Sequence, residues 1–338
     1  MFYVNLPFGI IAVTGLLLFM PSTQPRPALK FSWYGFSVLA IGVAALQLML
    51  DRGQIMDWFT SREILVLAIV AALAFYLFVV HMWMSDKPFL PTALFKDRNF
   101  ASAIVMVFCV SAIMQATGAL LAPYLQKLAG FSPLDAGWAM APRGVGIMIS
   151  MFAASRLGMR VDQRKIMAVG LILLGFVLRD MSTWTPSVDA RHMALVMLVQ
   201  GLSVGLVFNP MTVMAYTTLP ANFRGEGTAV QSLARNIGAA IGISVMTFTL
   251  TRPFQTNHAE ISAGITPFHR VLQGHDQITE ILDSTTRHGV VMLEQMIMYQ
   301  AQIIAYNSDF RLMMLVVLPP LLLLLLMRRH GRPDEGRV

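Results

Sequence analysis

Apolar residues in this chain gather into stretches of bilayer length, divided by short polar loops. The stretches lie at roughly 1–20, 32–50, 63–83, 99–122, 134–155, 165–180, 191–217, 227–250 and 310–327. A helix needs about 20 mostly apolar residues to cross the hydrocarbon core. The pattern therefore predicts an all-α membrane protein of about nine transmembrane helices, with no alternating strand signal and no low-complexity tract. Residues 21–31 form a Pro-rich connector that cannot continue a helix. Between 251 and 309 the pattern is amphipathic, with Ile278, Ile281 and Leu282, then Val290, Leu293 and Ile297 on one face. One or two external helices lying over the bundle are expected there.

Polar residues inside the apolar stretches divide the chain near residue 98. The second and third crossings are nearly free of internal polar groups and read as packing or lipid-facing helices. From Asn99 onward the crossings acquire Gln, Asn, Arg, Gly and Pro. Two arginines, Arg143 and Arg235, lie deep within the fifth and eighth crossings, about 12–13 Å of helix beyond Asp135 and Glu226. An Arg near mid-membrane costs at least about 2.5–3.5 kcal/mol on insertion scales. It faces a water-filled cavity or an opposing carboxylate, or else it snorkels or bonds backbone carbonyls at helix breaks. All 18 acids of the chain are placed by the pattern in loops, tails or helix ends, so no carboxylate partner is expected at mid-membrane.

Other polar residues join these arginines as candidates for one translocation pathway. Gln115, Tyr124 and Gln126 stud the fourth crossing and its end. Gln200 and Asn209 lie in the seventh, where Pro210 interrupts the hydrogen-bond ladder. Gln231 and Asn236 flank Arg235. Each residue on its own is an ordinary helix-to-helix hydrogen bond. Together they are expected to line a single cavity. The spacings Gly201-x-x-x-Gly205 and Gly238-x-x-x-Gly242 allow close helix approach, and Pro142 through Gly146 is a candidate bend.

Composition changes the picture little. Charged residues make up 13% of the chain against about a quarter in soluble domains. The single cysteine, Cys109, excludes a disulfide framework and a cysteine metal site. A net charge of +7 would suit nucleic acid, but the basic residues form no single stripe. They read as topology instead, because cytoplasmic loops are enriched in Lys and Arg. Arg26, Lys30, Lys87, Lys96, Arg98, Arg156, Arg160, Arg164, Lys165, Arg224 and the tail arginines share one side. The short loops opposite hold only Arg52, Arg62, Lys127, Arg179 and Arg191. The C-terminus is thus expected to be cytoplasmic and Met1 external, which implies an upstream portion with an odd number of crossings. No H-E-x-x-H, G-x-S-x-G or P-loop pattern suggests an enzyme, and the histidines have no metal spacing.

Several motifs resemble one family. Phe2-Tyr3-Val4-Asn5-Leu6-Pro7-Phe8-Gly9 resembles the end of a W-R-W-x-F-x-I-N-x-P-x-G signature. Pro123-Tyr124-Leu125-Gln126 through Gly130, Ser132, Ala136-Gly137 and Pro142-Arg143-Gly144 is similar to a P-x-Y-L-Q…G-x-S…A-G…P-R-G run. Leu219-Pro220, Arg224-Gly225-Glu226 and Arg235-Asn236-Ile237-Gly238 follow in register, as do Gln300-Ala301, Ala305-Tyr306 and Phe310. These motifs mark the EmrB/QacA-like fourteen-helix drug:proton antiporters of the major facilitator superfamily.

The resemblance implies that residues 1–98 are a sixth helix plus an accessory pair. Residues 99–338 would be a C-terminal six-helix half carrying the external segment 251–309. It also implies alternating access driven by a proton gradient with no bound cofactor, and efflux of drug-like or toxic small molecules. The implied setting is a bacterial inner membrane, with a periplasmic adaptor and an outer-membrane channel as partners. The first five helices would be absent, with the family's first-helix Asp and fifth-helix antiporter motif. Arg156, Arg160 and Asp162 would latch a cytoplasmic gate, although Ser155 and Met159 replace the Gly and Asp of the family's loop motif. The alternative is a truncated, non-transporting membrane remnant. The reading frame upstream of Met1 separates the two.

Overall fold

The computed structural model describes residues 5–19, 32–85, 93–220, 223–264 and 287–327. The connector at 21–31, Phe2 through Val4, the pattern residues Ile278, Ile281 and Leu282, and the tail from 328 lie outside the described residues. Among the described residues eleven α-helices follow one another: α1 (Asn5–Phe19), α2 (Trp33–Gly53), α3 (Arg62–Met84), α4 (Ala93–Lys96), α5 (Arg98–Pro123), α6 (Pro133–Leu157), α7 (Gln163–Met181), α8 (Ala190–Thr217), α9 (Arg224–Gly264), α10 (Arg287–Val316) and α11 (Leu318–Leu326). A π-helical turn, Tyr124–Leu128, extends α5.

Helix starts follow the polar punctuation of the sequence. Asp97 accepts from the Phe100 amide, Ser132 from Asp135 and Asp162 from Arg164, each satisfying one of the orphan amides of a helix N-terminus. Pro133 follows Ser132 at the first helical position, where its missing N–H is harmless. Six of the described helical spans are long and apolar enough to cross a membrane: Trp33–Gly53, Arg62–Met84, Arg98–Leu128, Ala190–Thr217, Arg224–Ser262 and Arg287–Leu326. α6 carries Asp135, Arg143 and Arg156, α7 carries charges at both ends, and the described part of α1 is short. All nine expected apolar stretches nonetheless hold a helix.

The segment expected to lie externally at 251–309 is described only in part, because 265–286 lie outside the described residues. Its described parts are not separate helices but continuations of α9 and α10. Residue 310, the expected start of the last crossing, falls inside α10, and Ile303, Ala305, Tyr306, Asp309 and Phe310 are buried there. Pattern reading broke the helix because Gln300, Gln302, Asn307 and Asp309 dilute its apolar face. A second difference follows: Asp309 is only 1% exposed, so one acid of this chain does sit inside the bundle.

The core is built by α5 to α11, with Phe100, Val107, Tyr124, Leu171, Met197, Val207, Phe310 and Met313 buried. Two helix pairs approach at backbone distance. A Cβ on Gly201 would run into the Arg143 carbonyl oxygen, one on Gly146 into that of Leu198, and one on Gly205 into the Ser150 hydroxyl. Across α5 and α9, Gly238 and Gly242 face the carbonyls of Phe108 and Ala112 in the same way. Small residues thus set the α6–α8 and α5–α9 contacts, as membrane packing without a water-driven hydrophobic force requires.

The α2–α3 hairpin is closed by an Arg52–Glu63 ion pair. It leans on α9 through a Ser244 to Leu50 carbonyl bond of 3.3 Å and a Trp58–Phe248 edge contact at 5.6 Å. Ile41, Leu48, Val66, Ile69, Leu73 and Tyr76 remain exposed on its far side. In α1, Leu6, Ile10, Ile11, Val13, Leu17 and Phe19 are all exposed.

Candidate translocation cavity

A cavity of about 550 Å³ opens between α5, α6, α8 and α9. Its apolar wall is formed by Met114, Ile147, Met151, Val204, Phe208 and Ala239, and its polar groups are Ser111, Gln115, Asn209, Thr212, Arg235 and Asn236. Gly205 also lines it, at the point where α8 lies against Ser150. The Arg235 guanidinium sits 5.5 Å from the centre of the Phe208 ring. A cation over an aromatic face gains about 0.5–1 kcal/mol when exposed and about 2 when dry. That contact holds the charge at the cavity wall.

Polar bonds fix the rest of the wall. Asn209 donates to the Met151 carbonyl at 3.2 Å and to Ser155 at 2.7 Å, tying α8 to α6. The Tyr216 hydroxyl donates to Gln231 at 2.6 Å, and Gln231 in turn reaches Thr212 at 3.4 Å. Gln231, 5% exposed, therefore supports the cavity through Thr212.

The sequence-derived candidates separate into groups. Gln115, Asn209, Arg235 and Asn236 come together in the cavity. Arg143 donates at 3.2 Å to the carbonyl of Met114 on α5, a residue that itself lines the cavity. Gln200 is 1% exposed in α8, and its Oε1 has no hydrogen-bond partner.

Tyr124 is fully buried at the end of α5, in an aromatic cluster with Trp184 at 6.1 Å and Tyr306 at 5.4 Å. Gln126 is exposed on the following turn. These two stand apart from the cavity. At the opposite end, in the α6–α7 turn, Arg156 stacks on Phe152 at 4.9 Å, Arg160 is exposed, and Asp162 caps α7.

Sequence reasoning missed three residues. Phe208 gives no polar signal and matters only because α8 turns it under Arg235. Arg164 was counted as a loop charge, yet it donates to the Met327 carbonyl and binds the start of α7 to the end of α11. Asp309 was hidden by the assumed helix boundary at 310.

The fold and cavity together define a class. This is a multi-pass, all-α membrane protein with a major-facilitator-type helical bundle. Its architecture matches that of a bacterial homologue of the human lysosomal transporter Spinster in an inward-facing, occupied conformation. The TM-score is 0.52 at 14% identity, over 87% of this chain and 64% of that one.

Within that class the sequence is similar to those of the EmrB and EmrY multidrug resistance and export proteins. It is 30% identical to the multidrug export protein EmrB of Escherichia coli K12 over 315 residues, 91% of this chain. To the probable multidrug resistance protein EmrY of the same organism it is 27% identical over 313 residues. To the fatty acid resistance protein FarB of Neisseria gonorrhoeae it is 25% identical over 312 residues. The chain spans 61% of the length of each of these three relatives. No protein-family model matches it.

Proposed function

We propose that the protein is part of a proton-driven exporter of amphipathic small molecules, working by alternating access in a bacterial inner membrane. The observation that carries this reading is the α5–α6–α8–α9 cavity, which joins an apolar wall to Arg235, Asn236 and Gln115. Ligand pockets of this kind are mostly apolar with a few placed polar groups. A guanidinium on such a wall recognises a carboxylate or another organic anion, while Met114, Met151 and Phe208 take the apolar body. Methionines adapt to varied shapes, which suits a broad range of substrates. The printed names of the relatives, multidrug export and fatty acid resistance, support the same class of cargo.

In this reading the α6–α7 turn and the C-terminus face the cytoplasm, where the basic loops of the sequence would lie. Arg156, Arg160 and Asp162 then sit at the inner mouth. α2 and α3 are an accessory pair against lipid. A periplasmic adaptor and an outer-membrane channel are the partners this export route implies, with α9 and α10 leading towards them.

The test uses inverted membrane vesicles carrying the full reading frame that contains this chain, energised by an acid-inside proton gradient so that protons leave as substrate enters. Uptake of a fluorescent amphipathic carboxylate that collapses with an uncoupler is the expected result. Gradient-independent uptake would remove proton coupling, and no uptake of any amphipathic probe would favour the non-transporting remnant.

A further inference from the structure

Asp309 is the buried carboxylate among the described residues, 1% exposed, and its Oδ2 has no hydrogen-bond partner. It lies in α10, close to the end of the bundle where Asn307 donates to the Trp184 carbonyl at 3.2 Å. About 25 Å of helix separate it from Leu326 at the other end. Thr249 of α9 is a side-chain hydrogen-bond partner of the carboxyl, but its one hydroxyl proton is shared with the Val245 and Met246 carbonyls at 3.0 and 3.2 Å, and Oδ2 stays without a partner. Pro253 lies inside α9, four residues beyond Thr249. Proline has no N–H, so the Thr249 carbonyl loses its normal helical donor. An orphan acceptor and an orphan carboxyl oxygen therefore belong to the same stretch of the α9–α10 interface.

The two protonation states of the acid meet this site differently. A neutral acid carries an O–H for a neighbouring acceptor, and a carboxylate carries only lone pairs. A buried group left unpaired costs about 1–3 kcal/mol, and more when charged. The ionised form thus needs water or a parted interface, and the protonated form tolerates the closed one. Ionisable groups on the surrounding elements are Tyr306 and Arg311 on α10, Tyr124 on α5, Arg179 and Asp180 on α7, and Arg252, Glu260 and His258 on α9. Of these, Tyr306 is buried beside Tyr124, Asp180 is bonded to Trp184 and His192, His258 meets Glu294, and Arg311 is exposed. The Arg252 side chain lies outside the described residues.

We propose that Asp309 is a proton-binding carboxyl at the α9–α10 interface, loaded by water from the α7–α8 end. Loading breaks one O–H bond of a hydronium ion and forms one at the carboxyl, and the ion leaves as water. Unloading passes that proton to water admitted when the two helices part, and the carboxylate re-forms. The proposal rests on the export reading for its purpose, but its chemistry does not depend on transport.

Dicyclohexylcarbodiimide tests it directly, because the O–H of a protonated apolar acid adds across a C=N bond of the reagent. Acyl migration to nitrogen then leaves a stable N-acylurea. The whole chain is reconstituted in liposomes, treated between about pH 5 and about pH 9, and mapped by peptide mass spectrometry. The expected result is modification of Asp309 that falls about tenfold per pH unit above its midpoint. Asp309→Glu retains a titrating label and Asp309→Asn loses it. No modification of Asp309 while Asp135 reacts with a water-soluble carbodiimide would overturn the proposal. So would modification that is the same at every pH. A titrating label in vesicles that export nothing would instead leave the carboxyl standing and remove the export reading.

Discussion

Arg235 and Arg143 look equivalent in the sequence and differ in their surroundings. Arg235 lines the cavity over Phe208, whereas Arg143 is bound to the Met114 carbonyl. The two should therefore fail differently. Arg235→Ala should weaken binding of an amphipathic carboxylate by about tenfold, or about 1.4 kcal/mol, and Arg235→Lys should restore part of it. Arg143→Ala should leave affinity closer to the parent and lower thermal stability in detergent, because a carbonyl of α5 loses its donor. Ligand titration by fluorescence and thermal denaturation read the two effects separately. Equal loss of affinity in both variants would put Arg143 in the pathway as well. The polar pattern located both residues, but it carried no information on which one would face open space.

At the scale of elements, the glycine spacings were legible and their partners were not. Gly201, Gly205 and Gly146 interlock α6 with α8, and Gly238 and Gly242 interlock α5 with α9. Gly201→Ala and Gly238→Ala each place a methyl against a backbone carbonyl, which cannot swing away as a side chain can. Overpacking of this kind costs about 1–3 kcal/mol, so each variant should lower Tm by several degrees. Gly137→Ala and Gly144→Ala, with open space at the Cβ position, should leave Tm near the parent value. Differential scanning of purified protein in one detergent checks the ranking. The length of α10 was the element least legible, because its glutamines and asparagine imitate a loop. They are tolerated where Tyr306, Asn307 and Asp309 meet other helices.

For the whole molecule, topology is the property to test. If the α6–α7 turn is cytoplasmic, a cysteine at Arg160 should react with a membrane-impermeant maleimide only after the cells are opened. A cysteine at Ser187, in the α7–α8 turn, should react in intact cells. Cys109 is replaced by serine in both, since it is the chain's single thiol. Reversed labelling would invert the assigned orientation and with it the side from which Asp309 is reached. Among the ties at the two ends of the bundle are Arg164 to the Met327 carbonyl at one, and the Tyr124, Trp184 and Tyr306 cluster at the other.

Hydropathy alone determined the membrane class, the placing of helices in the apolar stretches and the candidate set containing Gln115, Asn209, Arg235 and Asn236, because lipid forces each backbone group to bond within its own segment. Which of those polar residues share a cavity depends on how the helices rotate and cross, and that is settled by glycine-to-carbonyl contacts between residues up to about 130 positions apart. Only the tertiary structure could set Phe208 beneath Arg235, close Arg143 onto α5 and bury Asp309 beside Thr249 of α9. Those outcomes are sums of contacts between distant segments, and no local period in the chain encodes them.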